Sequence, residues 1–423
     1  MADLDKTNLE QDNRKKKTGK RMPIWMLIIT DILLTAVCLG IFTLYYHVLP
    51  RHLASDEIVV ATVGNGEDTT FTLPGSENTD TVSSSDTAES TDAAVSTDAA
   101  TSTDTAASTD TSASTETANT DTSSTDTSAD TEQTNSKPHG GNGGAADNKN
   151  TGAYTNYGNS DTLDISGSSS ESDYIHNAQK TITEINNYSS DNIQFTTNQV
   201  EIGSGIDKIT YYISDIYVTN VKYIKSAFAT GEYGKNLREA TLKMATDNNA
   251  LLAINGDFYG NNEIGVVIRN GVLYRTEVYD ADICVLFTDG TMKTYSPKDF
   301  NVDDVIAQGA WQAWIFGPQL LDGKGNILST FNSTYYLSNK HPRTAIGYVE
   351  PGHYVFVVVD GRNTGYSRGV TLSELGQIMV DAGCVSAYNL DGGKSSAMVY
   401  KDAYVNIPAE GGRTVSDIIY LGE

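Results

Sequence analysis

The sequence of 423 residues has few of the side chains that build metal sites or disulfide frameworks, with only three cysteines and six histidines. Cys38 lies in an apolar run, so a disulfide inside a folded domain would have to join Cys284 to Cys384. The alternative, two buried free thiols, is favoured. No Cys/His cluster has metal-ligand spacing. We therefore expect no cofactor, with calcium on loop carboxylates as the alternative.

Basic residues are also scarce, with 29 lysines and arginines against 54 acidic residues and a net charge of -25. No basic patch is large enough to offset phosphate repulsion, so nucleic acid is excluded as a partner. Most of the acidic excess follows the apolar run and precedes residue 174. The acidity therefore describes that segment and carries no information about a substrate.

One apolar run, residues 24–48, is long enough to cross a hydrocarbon core of ~30 Å. The bases that precede it place the N-terminus in the cytoplasm by the positive-inside rule: Arg14, Lys15, Lys16, Lys17, Lys20 and Arg21. The sequence thus predicts a cytoplasmic tail at 1–22 and a single-pass plasma-membrane helix at 23–49, with the remainder outside the cell. A cleaved signal peptide is the disfavoured alternative, because the run exceeds the usual ~7–15 residues.

The segment after the run lacks large apolar residues. Serines recur there with a period near six, at Ser90, Ser96, Ser102, Ser108 and Ser114. Six matches neither the helical nor the strand period, and such a composition buries too little apolar surface to fold. The sequence predicts a disordered Ser/Thr/Asp-rich extracellular stalk at 50–173 that carries a domain away from the bilayer.

From Tyr174 onward, apolar runs alternate with turn dipeptides. Four dipeptides predict hairpins, at Asn270-Gly271, Asp289-Gly290, Pro351-Gly352 and Lys401-Asp402. Helical spacing predicts helices at Asn236–Asn248 and Thr371–Gly383, the second opening with Thr371 and Glu374 as a capping box. Residues 174–423 are therefore predicted as an α+β domain, with a mixed, mostly antiparallel sheet and a few helices.

Three predicted strands end in polar, glycine-flanked clusters: Asn255-Gly256-Asp257, Asp360-Gly361-Arg362 and Asn389-Leu390-Asp391-Gly392-Gly393. Each cluster alone is better explained as a tight turn. With three such clusters in one domain, a functional site and three independent tight turns are equally good explanations. Arg343 and Arg413 add guanidinium groups suited to phosphate. Ser395 and Ser396 follow the glycines, where a loop can hold an oxyanion.

The same segments carry a family resemblance. NGDFY, RTAIG, VVVDGR, NLDGGKSSAM and RTVSDII resemble the phosphodiester glycosidase family, in matching order over most of residues 174–423. The family usually has a third glycine where this chain has Lys394. That cation either helps to hold a phosphate or marks a different substrate.

The resemblance implies hydrolysis of the bond between a sugar's anomeric carbon and a phosphodiester. The leaving phosphate needs cations, and the oxocarbenium-like transition state needs a carboxylate. Candidate catalytic residues are Asp257, Asp360 and Asp391, with Glu374 fourth because it caps its own helix. The candidate substrate-binding residues are Asn255, Arg343, Arg362, Asn389, Gly392, Gly393, Lys394, Ser395, Ser396 and Arg413. Retention or inversion depends on the carboxylate separation and stays open.

The sequence thus predicts a membrane-anchored hydrolase whose partner is a phosphodiester-linked sugar or a cell-envelope polysaccharide, such as an exopolysaccharide. The alternative is a non-catalytic surface module that binds glycans or anionic polymers through the same pocket. A metal-dependent phosphoesterase is a third hypothesis, but it would need a His/Asp ligand set that the sequence does not supply.

Overall fold

A computed structural model describes residues 23–52, 57–63, 69–75, 163–164 and 169–423. Its first element is the helix α1 (Ile24–Thr43), which continues as a π-helical turn at Leu44–Val48. Ile24–Tyr46 is long and apolar enough to cross a membrane, with a mean hydropathy of 2.3. The predicted basic tail at 1–22 and the serine repeats lie outside the described residues.

Five further α-helices, six short 3-10 helices and 21 strands are found in the rest of the described residues. The helices are α2 (Ser169–Asn177), α3 (Thr241–Asp247), α4 (Val302–Ala307), α5 (Tyr335–Ser338) and α6 (Leu372–Asp381). The strands up to the middle of the chain are β1 (Arg51–His52), β2 (Ile58–Val59), β3 (Leu163–Asp164), β4 (Lys180–Ser189), β5 (Ile193–Ile202), β6 (Ile209–Val218), β7 (Ile224–Phe228), β8 (Gly234–Lys235), β9 (Leu252–Asn255), β10 (Val267–Arg269) and β11 (Val272–Arg275). The later strands are β12 (Ile283–Phe287), β13 (Met292–Tyr295), β14 (Ala310–Ile315), β15 (Thr330–Phe331), β16 (Arg343–Glu350), β17 (His353–Val359), β18 (Ser386–Asn389), β19 (Met398–Tyr400), β20 (Ala403–Tyr404) and β21 (Asp417–Leu421).

Three antiparallel sheets surround one central core. Their strand orders are β18-β16-β17-β6-β5-β4, β20-β19-β9-β21-β7 and β13-β12-β14-β10-β11-β2. Each sheet sends apolar side chains inward, for example Phe356, Ile254 and Trp314. Helices α2 and α6 cover the outer face of the first sheet, α3 that of the second and α4 that of the third. The predicted α+β class with mostly antiparallel sheets and few helices is confirmed.

The central strand β17 shows why an uninterrupted apolar run is needed. Phe356 and Val358 point into the central core, whereas Val357 and Val359 pack under α6. Successive strand residues face opposite sides, so a strand covered on both sides must be apolar throughout. Its hairpin with β16 turns at Pro351-Gly352, and the other three predicted hairpins also form.

The two predicted helices differ in outcome. Helix α6 begins at the capping box of Thr371 and Glu374, and Gly383 follows its end with a φ of 81°. The predicted helix at Asn236–Asn248 starts late, as α3 at Thr241. Glu239 instead forms an antiparallel bridge with Val415, so the first part of that segment is extended. Cys284 and Cys384 are buried free thiols, packed in separate cores.

Part of the range predicted as a stalk lies against the domain. Strand β2 pairs with β11, and the Phe71 N–H donates to the Thr219 carbonyl at 2.8 Å. A side chain on Gly271 would overlap the Ala61 carbonyl, and Phe71 covers the turn glycines Gly290 and Gly352. The predicted spacer at 50–173 is therefore wrong for these residues, because they pack on the hairpin turns that contain Gly271, Gly290 and Gly352.

The described residues on the far side of the serine repeats also pair with this domain. Leu163–Asp164 forms β3 and pairs with β15, and α2 begins at Ser169, before the predicted boundary at 174. The described residues on both sides of the serine repeats, up to residue 75 and from residue 163, therefore contact the domain. The predicted disorder between those points lies outside the described residues and stays a prediction.

Candidate active site

The strand-end clusters meet around the side chain of Asn255, at the end of β9. Its Nδ2 donates to the Asp391 carbonyl at 2.7 Å, and its Oδ1 accepts from Thr344 Oγ1 at 2.7 Å and from the Ala397 N–H at 3.1 Å. Because antiparallel neighbours run in opposite directions, the ends of β9 and β18 lie beside the starts of β16 and β21. Asn255 is fully buried, so it holds the loop after β18 together and does not face a sugar.

That loop presents a carboxylate, a hydroxyl and a guanidinium in contact. Arg413 Nη2 lies 2.9 and 2.7 Å from the two carboxylate oxygens of Asp391. Ser395 Oγ donates to Asp391 Oδ2 at 2.6 Å and accepts from Arg413 Nε. The Arg413 side chain is 33% exposed, whereas that of Asp391 is 7% exposed. These three residues, hereafter the rim triad, therefore place a shielded carboxylate behind a guanidinium that solvent reaches.

Two residues missed by the sequence analysis flank the rim triad. The Arg413 guanidinium lies 5.6 Å from the centroid of the Phe258 ring. Burial lowers the pKa of Arg238, the charge of Arg413 lowers it further, and Asp391 raises it, so the three charges are neighbours. Arg238 lies in a segment whose sequence indicated only a helix, and nothing local marked it as a site residue.

Arg362 stands over the glycine loop in a strained conformation. Its φ is 59°, in the left-handed region that non-glycine residues rarely occupy. Its guanidinium nitrogens would lie 3.2 and 3.4 Å from a Cβ on Gly393, so a side chain there would press on the arginine. Strained residues cluster at functional sites. Gly392 is needed for a different reason, since its Cβ would approach the Pro342 carbonyl to 2.9 Å.

An imidazole and a phenol ring extend the loop on the side of Arg362. Arg362 Nη2 lies 3.3 Å from His341 Nδ1, and His341 Nε2 lies 2.9 Å from the Tyr336 carbonyl. Burial lowers the pKa of His341, and the charges of Arg343 and Arg362 lower it further. The imidazole is therefore neutral at pH 7, and its ring centroid lies 5.0 Å from that of the exposed Tyr336.

Asp257 belongs to a second, fully buried cluster behind the loop. Arg269 Nη2 donates to Asp257 Oδ2 at 2.9 Å, and Arg269 Nε donates to Asp417 Oδ2 at 2.9 Å. Asp257 also accepts from the N–H groups of Tyr259 and Ile315. Burial raises the pKa of Asp417 to about 7, against the opposing charge of Arg269. We call Asp257, Arg269 and Asp417 the buried triad. Both carboxylates bind Arg269, while Asp417 Oδ1 is buried and has no hydrogen-bond partner among the described residues.

The carboxylates of Asp360 and Glu374 also form hydrogen bonds and ion pairs within the protein. Asp360 accepts from the Tyr366 hydroxyl at 2.9 Å, from Asn406 Nδ2 at 2.8 Å and from the Ile407 N–H at 3.0 Å, and burial raises its pKa. Glu374 binds Arg368 through both oxygens and accepts from the Thr371 N–H. Their buried positions support structural roles, and for Glu374 this is the capping alternative.

Arg343 is buried, and no carboxylate among the described residues contacts it. Its Nε donates to the Val370 carbonyl at 3.2 Å, and its Nη2 donates to the Leu337 and Asn339 carbonyls. Burial lowers its pKa to about 9, and the charge of Arg362 acts in the same direction. This arginine ties the start of β16 to the end of α5, so its donors are not directed at a leaving phosphate.

The remaining loop candidates divide into paired and unpaired groups. The Lys394 ammonium forms an exposed ion pair with Glu410. Asn389 Nδ2 donates to the Gly317 carbonyl at 2.8 Å. Asn389 Oδ1 and Ser396 Oγ are buried and find no hydrogen-bond partner among the described residues. Across the same residues, no group of three or more His, Cys, Asp or Glu side chains could hold a metal ion.

Solved structures resemble part of this chain. A zebrafish N-acetylglucosamine-1-phosphodiester alpha-N-acetylglucosaminidase catalytic domain, auto-inhibited by its pro-peptide, is 20% identical, with a TM-score of 0.44 over 58% of this chain and 88% of that chain. A hypothetical protein from Synechocystis is 16% identical, with a TM-score of 0.39 over 57% and 63%.

Sequence comparison finds a family match over part of the chain. Residues 248–422 match the family model described as phosphodiester glycosidase. The SPbeta prophage-derived uncharacterized protein YomE of Bacillus subtilis (strain 168) is 35% identical over 196 residues, which are 44% of this chain and 30% of that protein. The chain thus spans about a third of the length of this curated relative. The resemblance carried by the sequence motifs is confirmed, and residues 248–422 form a phosphodiester glycosidase-like domain.

Proposed function

We propose that this chain is a membrane-anchored extracellular hydrolase that cleaves the glycosidic bond of a sugar-1-phosphodiester, with the rim triad at its active site. The family match over residues 248–422 supports a glycosidase-type activity. The apolar helix α1 and the bases before it support a single-pass anchor with a cytoplasmic N-terminus. A phosphodiester-linked sugar of the cell envelope fits both features.

The single observation that carries the assignment is the contrast between Asp391 and the other strand-end carboxylates. Asp257 and Asp360 are enclosed by internal donors, whereas Asp391 lies behind a guanidinium that is one third exposed. A carboxylate within reach of a bound sugar ring can act as nucleophile or as base for water. In this proposal Asp391 is the catalytic carboxylate, and Ser395 and Arg413 orient it.

Cations near the loop would support the departing phosphate. Cleavage of the bond between the anomeric carbon and oxygen leaves a phosphomonoester, whose developing charge is stabilised by fixed donors. Arg362 and Arg413 reach the loop surface, and Arg238 lies next to Arg413. A guanidinium matches phosphate geometry with two parallel donors. Arg343 is left out of this role because backbone carbonyls occupy it.

The sugar is assigned to the side of Arg362 that carries aromatic rings. The Tyr336 ring is 58% exposed and stands beside the neutral imidazole of His341. An exposed aromatic ring offers an apolar face together with a polar tip, which suits the apolar face of a pyranose. Asn389 and Ser396 are buried, as Asn255 is, and are left out of this role.

The test is hydrolysis of UDP-N-acetylglucosamine and related sugar phosphodiesters by the full-length protein in detergent micelles. Free sugar is identified by mass, and the substitution Asp391→Asn is expected to lower kcat by at least about 10²-fold. Asp402→Asn, at an exposed hairpin turn, is the matched control and should retain wild-type rates. The full chain is required, because a fragment starting at residue 174 would lack β2 and Phe71.

Three outcomes of this assay separate the hypotheses. Wild-type turnover by Asp391→Asn would overturn the assignment of the carboxylate. Saturable binding of a polymeric phosphodiester without release of sugar by the wild type would favour the non-catalytic binding module. Release of sugar-1-phosphate that EDTA abolishes would favour a metal-dependent phosphoesterase, because that product keeps the bond between the sugar and its phosphate and requires cleavage of the other ester or anhydride bond of that phosphate.

A further inference from the structure

The chain that leaves the apolar helix is fastened to the domain within a few residues. The Leu49 carbonyl accepts from Asn236 Nδ2 at 3.0 Å, and β1 pairs with β8 so that Arg51 lies opposite Lys235. Arg51 Nη2 and Lys235 Nζ both bind Glu263 Oε1, at 2.8 and 2.5 Å. These contacts, hereafter the juxtamembrane clamp, leave almost no free chain between α1 and the domain.

The clamp is built into the packing of the domain. A Cβ on Gly234 would lie 2.5 Å from the Arg51 carbonyl and 2.5 Å from Leu237 Cδ1, so only glycine allows this approach. The Arg51 guanidinium also lies 5.0 Å from the ring centroids of Tyr45 and Tyr46, at the end of the apolar span. Aromatic and basic side chains at the end of a span are typical of the membrane interface.

The clamp and the candidate active site share one short stretch of chain. Asn236 N–H donates to the Gly260 carbonyl at 2.8 Å, in the turn that follows Phe258, which packs on Arg413. Arg238, the neighbour of Arg413 and Asp391, is two residues beyond Asn236. Residues of the clamp and neighbours of the rim triad are therefore adjacent in this stretch of chain.

The distance from the membrane helix to the site can be bounded from the covalent geometry. Val48 to Arg51 and Lys235 to Arg238 are each three residues, or at most about 10 Å, and the paired strands between them are about 5 Å apart. The backbone at Arg238 thus lies within about 25 Å of the end of the apolar span. Ile264, next to Glu263 of the clamp, adds an exposed apolar side chain on this side.

We propose that the juxtamembrane clamp holds the active site beside the bilayer, and that its substrate is a sugar phosphodiester carried by a lipid of that bilayer. This inference rests on the proposed function and narrows its substrate class. In the reaction, water attacks the anomeric carbon, and the bond from that carbon to the phosphate oxygen breaks. One proton of the water stays on the new hydroxyl of the free sugar, the other is taken by Asp391, and a lipid phosphomonoester remains. A fixed site raises the effective concentration of substrates that share its membrane, whereas a soluble substrate gains nothing from the clamp.

The test compares two probes and two insertions in the full-length protein, reconstituted in phosphatidylcholine vesicles. One probe is UDP-N-acetylglucosamine, and the other is N-acetylglucosamine joined through a phosphodiester to a long-chain alcohol that partitions into the vesicles. A flexible Gly/Ser segment of about 40 residues, which spans roughly 35 Å, is inserted between Val48 and Leu49. That insertion leaves the clamp contacts in place and moves only the membrane helix away.

The matched control carries the same segment between Gly75 and Ser76, which is outside both the juxtamembrane clamp and the rim triad. The insertion at Val48 should lower release of sugar from the vesicle-embedded probe at least about tenfold, because effective concentration falls steeply with tether length. Both inserted proteins should hydrolyse UDP-N-acetylglucosamine at the wild-type rate. The control insertion should leave both probes unaffected.

Two results would overturn the inference while leaving the proposed function intact. One is hydrolysis of the soluble probe without hydrolysis of the embedded probe. The other is that the two insertions lower release of sugar from the embedded probe equally, or that neither insertion lowers it. Failure of the unmodified protein to release sugar from either probe would instead overturn the proposed function, and the inference with it.

Discussion

The rim triad and the buried triad contain the same chemistry in different surroundings. Each joins an arginine to an aspartate at the end of a strand, and Gly256 lies between them, since its N–H donates to the Asp417 carbonyl and its carbonyl accepts from the Asp391 N–H. Arg269 is 1% exposed, whereas Arg413 is 33% exposed. This difference indicates that a carboxylate–guanidinium contact can bind a ligand only where one of the two side chains is exposed to solvent, so that a ligand can replace the water around it.

The energetic roles of the two triads should differ accordingly. An exposed ion pair contributes about 0–1 kcal/mol to stability, because water screens it. Removal of one partner from a buried pair leaves an uncompensated charge in a medium that cannot solvate it. We therefore expect substitutions in the buried triad to change the free energy of unfolding, and substitutions in the rim triad to change the rate of catalysis.

The largest effect is expected for Arg269→Ala, which leaves Asp257 and Asp417 without their shared cation. The free energy of unfolding should fall by about 3–5 kcal/mol. Urea unfolding of the protein in micelles, followed by the fluorescence of the buried Trp314, measures it. If Arg269→Ala costs no more than Arg413→Ala, the distinction between the triads is wrong.

The next effect is expected for Arg413→Ala, measured as kcat/KM on a sugar phosphodiester. Loss of a donor to the developing charge, and of the group that orients Asp391, should lower kcat/KM by about 10²–10³. The free energy of unfolding should change by less than about 1 kcal/mol. Arg413→Lys keeps the charge without the planar fork and should recover only part of the rate.

Two results would contradict this prediction. Wild-type kcat/KM in Arg413→Ala would remove the rim triad from the mechanism. Unfolding of Arg413→Ala at the urea concentration that unfolds Arg269→Ala would show that the exposed arginine is structural as well.

The elements of the fold were predictable where a few adjacent residues determine them. Asn270-Gly271 turns its hairpin because both residues take a positive φ, 53° and 74°, which asparagine and glycine tolerate. The capping box of Thr371 and Glu374 fixes the start of α6. The predicted helix at Asn236–Asn248 began too early because Glu239 pairs with Val415, a contact that no local pattern contains.

The site was predictable only as a set of candidate residues. Arg269 bonds Asp417 across 148 residues, and Arg413 bonds Asp391 across 22, so the sequence could not tell which aspartate would be enclosed. The same is true of Arg343, whose partners are backbone carbonyls and have no sequence signal. Residues 57–63 and 69–75 fall in the predicted stalk because the segment is short and mixed in composition. The pairing of β2 with β11 and the packing of Phe71 on two hairpin turns are long-range contacts with no local sequence signal.

A smaller effect should separate the triads by pH. The ordinary pKa of an aspartate is about 3.9, whereas burial raises that of Asp417 to about 7. The folded state therefore binds this proton more tightly than the unfolded state. Its contribution to stability is fully present below about pH 4 and is lost as the pH rises through about 7.

The measurement is the difference in free energy of unfolding between the wild type and Asp417→Asn. That difference should shift against the wild type by an amount on the order of 3 kcal/mol between pH 4 and pH 7. Asp402→Asn, at an exposed turn, gives the baseline. A difference that does not vary with pH would mean that Asp417 keeps its charge in the buried triad throughout.

The smallest effect is expected for Lys394→Ala, at the position where the family usually has glycine. Its ammonium binds Glu410, and the two side chains are 43% and 55% exposed, so the free energy of unfolding should change by less than about 1 kcal/mol. Because Glu410 already neutralises this lysine, kcat/KM should change less than about threefold, far below the effect at Arg413. Glu410→Gln is the companion variant, since it frees the ammonium without removing it. A tenfold rise of KM in Lys394→Ala, with a fall of KM in Glu410→Gln, would instead place Lys394 on the phosphate and extend the rim triad to a fourth residue.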